Sequence, residues 1–501
     1  MGGDISANAT RPSASLRASV ETSKEHAGTQ EDTYVQLLMR VVGVNDVISE
    51  LRNILSAIDV RHLYIFLDDF SELPEEAMRL LVDSLISPLT RWSEFIKFKI
   101  AAYPGRVYLG SLDKTKIEEF HLDIYGLYGS SGVVQMEDKA IEFVRRVVEK
   151  RIAHFCKADH GVYFSQRQNE LWRLLFYASM ANPRILGHLM LYAYESHLIY
   201  GDKIGVQAIQ EAAHRYYEEK VSTFFTTSQY RMSFHERSSI FSLKELLEDI
   251  VGKARSIRQL DRKMRSRSYS SHFYVANKFD DLLSSLELEF FITKYFEQSD
   301  RSGSRVSVYA LNYGLCTKYQ INFGRPTERR EDRLYFVDRL FDYNAILRAY
   351  MAANQEIVCK DCGEKYEISS LEHFKTFRMR CPKCPTGVCE VVNLSKKYGD
   401  MLEAISPELL LPKTELGILQ ILHNGDRQMV ASEIASELDC SGQLVGRRAK
   451  NLSERALVKR ARGTVYRYEI TPKANAAYFD DSSAAELRLV DSDGGITGTA
   501  H

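Results

Sequence analysis

Several common features are missing from this 501-residue chain, and each absence narrows its class. Neither sign of charge dominates: 66 Lys and Arg stand against 67 Asp and Glu, giving a formal net charge of −1. Whole-protein electrostatics is therefore silent on nucleic acid, and charge has to be read locally. No apolar run approaches the roughly 20 residues of a membrane span. Residues 1–33 are rich in Ser, Thr, Ala and Gly and lack the apolar core of a secretory signal. Eight cysteines are too few for a disulfide scaffold in a chain this long. There is no repeat of fixed period. The phosphate-cradling loop GxxxxGK(S/T) occurs nowhere. These absences imply a soluble, cytoplasmic protein without a membrane partner, and the length calls for several domains.

The stretch His62–Pro74 carries the strongest local signal. Five apolar, β-prone residues, Leu63 to Leu67, end abruptly in Asp68 and Asp69. An unbroken apolar run reads as a strand buried on both faces. Two carboxylates at its end can hold Mg²⁺ and orient water beside a nucleotide. Pro74 opens a helix over Glu75 to Ile86, and Ile96–Ala102 forms a second strand, closed by Tyr103-Pro-Gly-Arg106. Strand, helix and strand at this spacing form one α/β crossover.

Upstream, Thr33–Ile58 has helical spacing, and the residues before Glu31 read as disordered. Downstream, Glu137–Thr223 is helical. Ser233–Ala349 is mixed, with a basic stretch (Lys253, Arg255, Arg258, Arg262, Lys263, Arg265, Arg267) offset only by Asp261. A helix over Asn277–Phe296, a Ser-Gly turn and the strand Arg305–Leu311 follow there, an order that resembles a winged-helix module.

Cys359-Lys-Asp-Cys362 and Cys381-Pro-Lys-Cys384 are separated by eighteen residues. Two such pairs bring four thiolates around one structural Zn²⁺, and the short β-prone segment between them is that of a zinc ribbon. So few residues cannot bury a self-sufficient core, so the metal is part of the fold. Cys389 reads as a spare thiol nearby, either packing or a bystander.

Near the C-terminus, Thr414–Leu422 and Val430–Leu438 read as helices. Ser441 caps a third, Gln443–Ala456. Its apolar side carries Leu444, Val445, Ala449 and Leu452, leaving Gln443, Arg447, Lys450 and Asn451 outward with Arg448 at the margin. A hairpin follows around Gly463, carrying Lys459, Arg460, Arg462 and Arg467. Residues 441–473 contain nine Lys/Arg against two Glu, a local charge of +7 in a nearly neutral chain. This is the layout of a winged helix whose third helix reads the major groove of duplex DNA while its wing meets phosphates.

Met180-Ala-Asn-Pro-Arg-Ile-Leu-Gly187 resembles the start of the lid helix in initiator-type AAA+ ATPases, the origin-recognition and cell-division-control branch. The strand ending in Asp68-Asp69 is similar to that family's Mg²⁺ and water strand, and Ile96–Ala102 to its sensor strand. The resemblance implies catalytic roles for Asp68 and Asp69, and nucleotide contacts for Arg184 and Arg106. It implies an α/β plus α architecture. In that layout residues 1–30 are disordered, 31–130 form a partial AAA+ P-loop core and 131–225 a helical lid. A winged-helix-like domain (226–350), a zinc ribbon (351–395), a C-terminal winged helix (396–479) and a disordered tail (480–501) follow. Without the phosphate loop, ATP and Mg²⁺ are expected only in a complete form, the chain being either shortened before its first motif or degenerate. The expected partners are duplex DNA and either a second copy or a partner ATPase subunit. The alternatives are a non-enzymatic DNA-binding regulator and a scaffold that docks protein or RNA.

Overall fold

The computed structural model describes residues 44–73, 75–90, 94–103, 107–110, 112–129, 132–165, 168–230, 234–257, 269–299, 303–324, 340–384, 386–393, 409–425, 427–438, 440–461, 463, 465–479, 487 and 489. They form a mixed α/β protein, largely helical, with four small sheets. The chain divides into two compact units, residues 1–119 and 120–501.

In the first unit, β1 (Leu63–Leu67) and β2 (Ile96–Ile100) pair in parallel, from Leu63 opposite Ile96 to Leu67 opposite Ile100. The connection is helical through Glu75–Leu81, a π turn at Val82–Ile86, and Ser87–Leu89. One sheet face carries Leu63, Ile65, Leu67, Ile96, Phe98 and Ile100. It packs on Met78, Val82 and Ile86 of the connection and on Ile48 and Leu55 of the helix Val44–Ala57. The other face carries Tyr64, Phe66, Lys97 and Lys99, with Phe66 74% exposed. The expectation of a strand buried on both faces is thus corrected. β1 alternates between a covered and an open face, because among the described residues helices pack on one side of this two-stranded sheet. Outward Tyr64 and Phe66 are as apolar as the inward residues, which hides the period of two in the sequence.

The second unit is built on one continuous core running from Ile124 to Leu347. Helices Val133–Phe155, Gln168–Ser179, Pro183–Ser196, Val206–Tyr216 and Phe234–Ile257 share it with an antiparallel sheet in the order β3 (His272–Ala276), β5 (Arg305–Leu311), β4 (Ile292–Ser299). The boundary expected at 225/226 therefore does not divide the packing. The helix expected over Asn277–Phe296 stops at Leu288. Phe290 takes a left-handed conformation (φ 61°), and the chain continues as β4. Ile292, Thr293, Tyr295 and Phe296 are β-branched or aromatic, and pairing with β5 buries them better than a longer helix would. Of the tail expected over 480–501, only residues 487 and 489 are among the described residues. Leu487 and Leu489 are buried in the main core, and the Leu487 amide donates to Tyr319 Oη at 3.2 Å.

Two smaller cores follow. β6 (Gln355–Cys359) lies between β7 (Lys365–Glu367) and β8 (Cys389–Asn393), with the helix Leu371–Thr376 alongside. Its apolar content is little more than Ile357, Ile368 and Phe374 around the cysteines. The C-terminal module packs helices Lys413–Gly425, Ala431–Leu438 and Gly442–Glu454 on a sheet in the order β10 (Val458–Ala461), β11 (Arg467–Ile470), β9 (Met429–Val430). It is fastened to the main core by the Leu411 amide on the Tyr230 carbonyl (2.9 Å), Asn424 Nδ2 on the Glu219 carbonyl (2.9 Å) and the Lys220–Glu437 ion pair (2.7 Å).

Candidate metal centre and nucleic-acid interface

β6 delivers Cys359, and Gly363 (φ 69°) turns the chain so that its amide donates to the Cys359 carbonyl at 3.0 Å. In the second knuckle the Cys381 amide donates to the Gly387 carbonyl at 2.9 Å, and the Gly387 amide to that of Cys384 at 3.3 Å. These turns bring all four sulfurs of Cys359, Cys362, Cys381 and Cys384 within 4.8 Å of one another. Cys359 Sγ lies 3.5 Å from Cys384 Sγ, and Cys362 Sγ 3.7 Å from Cys381 Sγ. A tetrahedral zinc with Zn–S bonds of about 2.3 Å needs edges of about 3.8 Å, so the cluster has the size and donor chemistry for Zn²⁺.

The thiols also act electrostatically as one group. Burial opposes ionisation of Cys381, but the Tyr366 hydroxyl at 3.1 Å and the amides of Cys384 and Lys383 hold it down, to about 6. Burial and the other three sulfurs push Cys384 up to about 12. One thiolate thus forms at another's expense, a conflict that a bound divalent cation removes. Cys389, opposite Cys359 on β8, is buried; burial and the neighbouring Cys381 and Cys359 push it up to about 12. It packs in the buried cluster around the cysteines and is not one of the four clustered sulfurs. Two contributors were missed from sequence: Tyr366, and Gly387, where a Cβ would stand 2.5 Å from Cys359 Sγ and closer still to Cys384 Sγ. The signal for the second was a glycine three residues past the second cysteine pair.

On the C-terminal module, Ser441 caps the third helix by accepting from the Leu444 amide at 3.2 Å. Val445, Ala449 and Leu452 are buried, and Gln443, Arg447, Lys450 and Asn451 are exposed. Arg448 is half-buried and turned inward. Its Nη1 lies 3.3 Å from Glu415 Oε1, and Asn451 Nδ2 lies 3.4 Å from the same oxygen. On the hairpin, Lys459, Arg460 and Arg467 are exposed, with Arg460 lying over the Tyr466 ring at 3.6 Å. Arg462 lies outside the described residues. Glu415, only 4% exposed, was missed from sequence. Its spacing to Ile418, Leu419 and Leu422 already placed it on the apolar stripe of its helix, where a carboxylate needs a partner.

Replacing Glu415 by Ala should therefore loosen the third helix, because it strands Arg448, whose Nε already has no hydrogen bond. Breaking a partly buried pair from one side costs about 2 kcal/mol here, at the low end because Arg448 remains partly solvated. Hydrogen exchange should show faster amides across Gly442–Glu454. Unchanged protection there would remove Glu415 from this role.

Asp68 and Asp69 follow β1 and are exposed; the Asp69 amide donates to Asp68 Oδ1 at 3.1 Å, and Asp69 is left-handed (φ 52°). Arg106 lies outside the described residues. Arg184 is the second residue of the helix Pro183–Ser196 and is exposed. Asn182 caps that helix by accepting from the amides of Arg184 (2.9 Å) and Ile185 (3.3 Å), and Pro183 occupies the first helical position. Asn-Pro-Arg thus has a local meaning as a helix start. Asp68 and Asp69 belong to the first unit and Arg184 to the second.

Comparison of the chain with family models, curated proteins and solved structures finds no match. Among the described residues, no helix is long and apolar enough to cross a membrane.

Proposed function

We propose that this is a zinc-stabilised protein that binds duplex DNA through a winged helix formed by residues 409–479. The observation that carries the reading is a set of exposed polar and cationic side chains gathered on one small module. Gln443, Arg447 and Lys450 stand on the third helix, and Lys459, Arg460 and Arg467 on the adjoining hairpin. Arginine can pair with guanine in the major groove, and the hairpin cations suit phosphates. Zn²⁺ in the Cys359/Cys362/Cys381/Cys384 centre holds the ribbon together. A fluorescence-anisotropy titration with labelled duplex, repeated over a salt series, tests this. Affinity should fall steeply with salt as counterions are released. Absence of duplex binding would leave protein docking as the use of the module.

A second reading is favoured by the first unit. We propose that it derives from an initiator-type AAA+ core. In support, β1 and β2 are parallel across one crossover, and Asp68 and Asp69 sit beyond the carboxyl end of β1, the end where open α/β sheets bind ligands. Arg184 would then act as a phosphate sensor. With no GxxxxGK(S/T) motif in the sequence to cradle the β- and γ-phosphates, ATP binding should be weak and turnover negligible. Calorimetric titration with Mg-ATP is expected to show no tight binding, and a tight isotherm would overturn this expectation.

A further inference from the structure

We infer that the segment between the two zinc knuckles is a stacking site for an unpaired nucleic-acid strand, separate from the duplex-binding winged helix. The helix Leu371–Thr376 is anchored by Phe374, which is buried against Ile357, Ile368 and the ring of Tyr366 (4.9 Å). Its far side ends in Phe377, which is 58% exposed. The His373 ring lies 4.7 Å from that of Phe377, so two flat rings adjoin at the surface. Arg378 and Arg380 follow, both exposed.

Charge singles this segment out. Elsewhere on the ribbon the lysines are neutralised: Lys360 by Glu390, Lys365 by Glu356 and Lys383 by Glu364. Among the described residues neither Arg378 nor Arg380 has an ion-pair partner, and Glu372 is the only acid in residues 371–380. The backbone is also fixed. Arg378 and Met379 are both left-handed (φ 55° and 56°). They are held by the Met379 amide on the Phe374 carbonyl (2.7 Å), the Cys389 amide on the Met379 carbonyl (2.6 Å) and a bridge from Arg380 to Val388.

An exposed ring followed within three residues by two uncompensated, exposed arginines offers a base a flat apolar face and its phosphates positive charge. The ring projects at a turn and can stack only on a base whose face is not covered by a neighbour, which selects unpaired strands. An exposed phenylalanine alone would carry no such inference; the adjoining arginines supply the charge complementarity.

The test uses the full chain with zinc bound and labelled oligothymidylate and oligouridylate, which separate DNA from RNA as the strand. Phe377→Ala should weaken binding to the preferred strand roughly 5- to 150-fold, the usual range for losing one stacked base. Zinc content and duplex affinity should stay at the parent level. Phe377→Trp should restore binding, with fluorescence quenched when the strand is added. A variant with Arg447, Lys450 and Arg460 changed to Ala should lose duplex and keep the single strand, so failure of this inference is distinguishable from failure of the winged-helix reading. The inference is overturned if the parent binds neither oligonucleotide, if Phe377→Ala binds as the parent does, or if an abasic strand binds as well as oligothymidylate.

Discussion

Changing Gly387 to Ala should empty the metal centre. The added methyl group would stand 2.5 Å from Cys359 Sγ and nearer still to Cys384 Sγ, well inside van der Waals contact with both. Neither sulfur can yield. Cys359 is fixed in β6 between β7 and β8, and the second knuckle closes through the Gly387 backbone itself. Removing partners that merely orient metal ligands costs about 10- to 100-fold in affinity, and a direct clash with two ligands should exceed that. Structural zinc contributes on the order of 10 kcal/mol to domains of this size, so the small β6–β8 core around the cysteines should unfold with the loss. Elemental analysis after dialysis against a chelator should find one zinc per parent chain and essentially none in the variant. Cys389→Ser should keep its zinc, because that thiol is outside the four. Equal retention by Gly387→Ala and the parent would refute the geometry.

Removing four exposed cations of the C-terminal module, Arg447, Lys450, Arg460 and Arg467, should abolish measurable duplex binding at physiological salt. For every phosphate left without its cation, the slope of log affinity against log salt should flatten by about 0.9. The single variants should divide by role. Arg460→Ala and Arg467→Ala should weaken all sequences alike. Arg447→Ala should relax preference at particular base pairs, by about 1–3 kcal/mol if it reads guanine. Arg448→Ala should differ from both, acting through Glu415 on helix placement and leaving the salt slope nearly unchanged. A quadruple variant that bound duplex like the parent would make the module a docking surface for protein.

What could be read from sequence followed from how local each signal was. The four-cysteine cluster needed only cysteine spacing, and the C-terminal module needed a helical stripe, a serine cap and a glycine turn, so Ser441, Val445 and the hairpin stand where the pattern placed them. Tyr366, Gly387 and Glu415 act through contacts between segments distant in sequence, for which one chain carries little signal. β4 was hidden because Ile292–Phe296 prolongs the apolar spacing of the preceding helix, and only β5 determines its state. Asn182-Pro183-Arg184 shows the opposite limit: a short motif can mark the start of a helix before it marks a site.

The return of Leu487 to Tyr319 changes how the C-terminal module can behave. Leu411 on Tyr230 ties one end of the module to the main core, and Leu487 and Leu489 tie the chain that leaves its other end. A domain pinned once swings like a pendant on its linker; one pinned on both sides is a closed loop with little orientational freedom left to lose. Engaging a rigid ligand then costs less entropy, and any pull on the module is shared by these end ties and by the Asn424–Glu219 and Lys220–Glu437 contacts rather than by a single hinge.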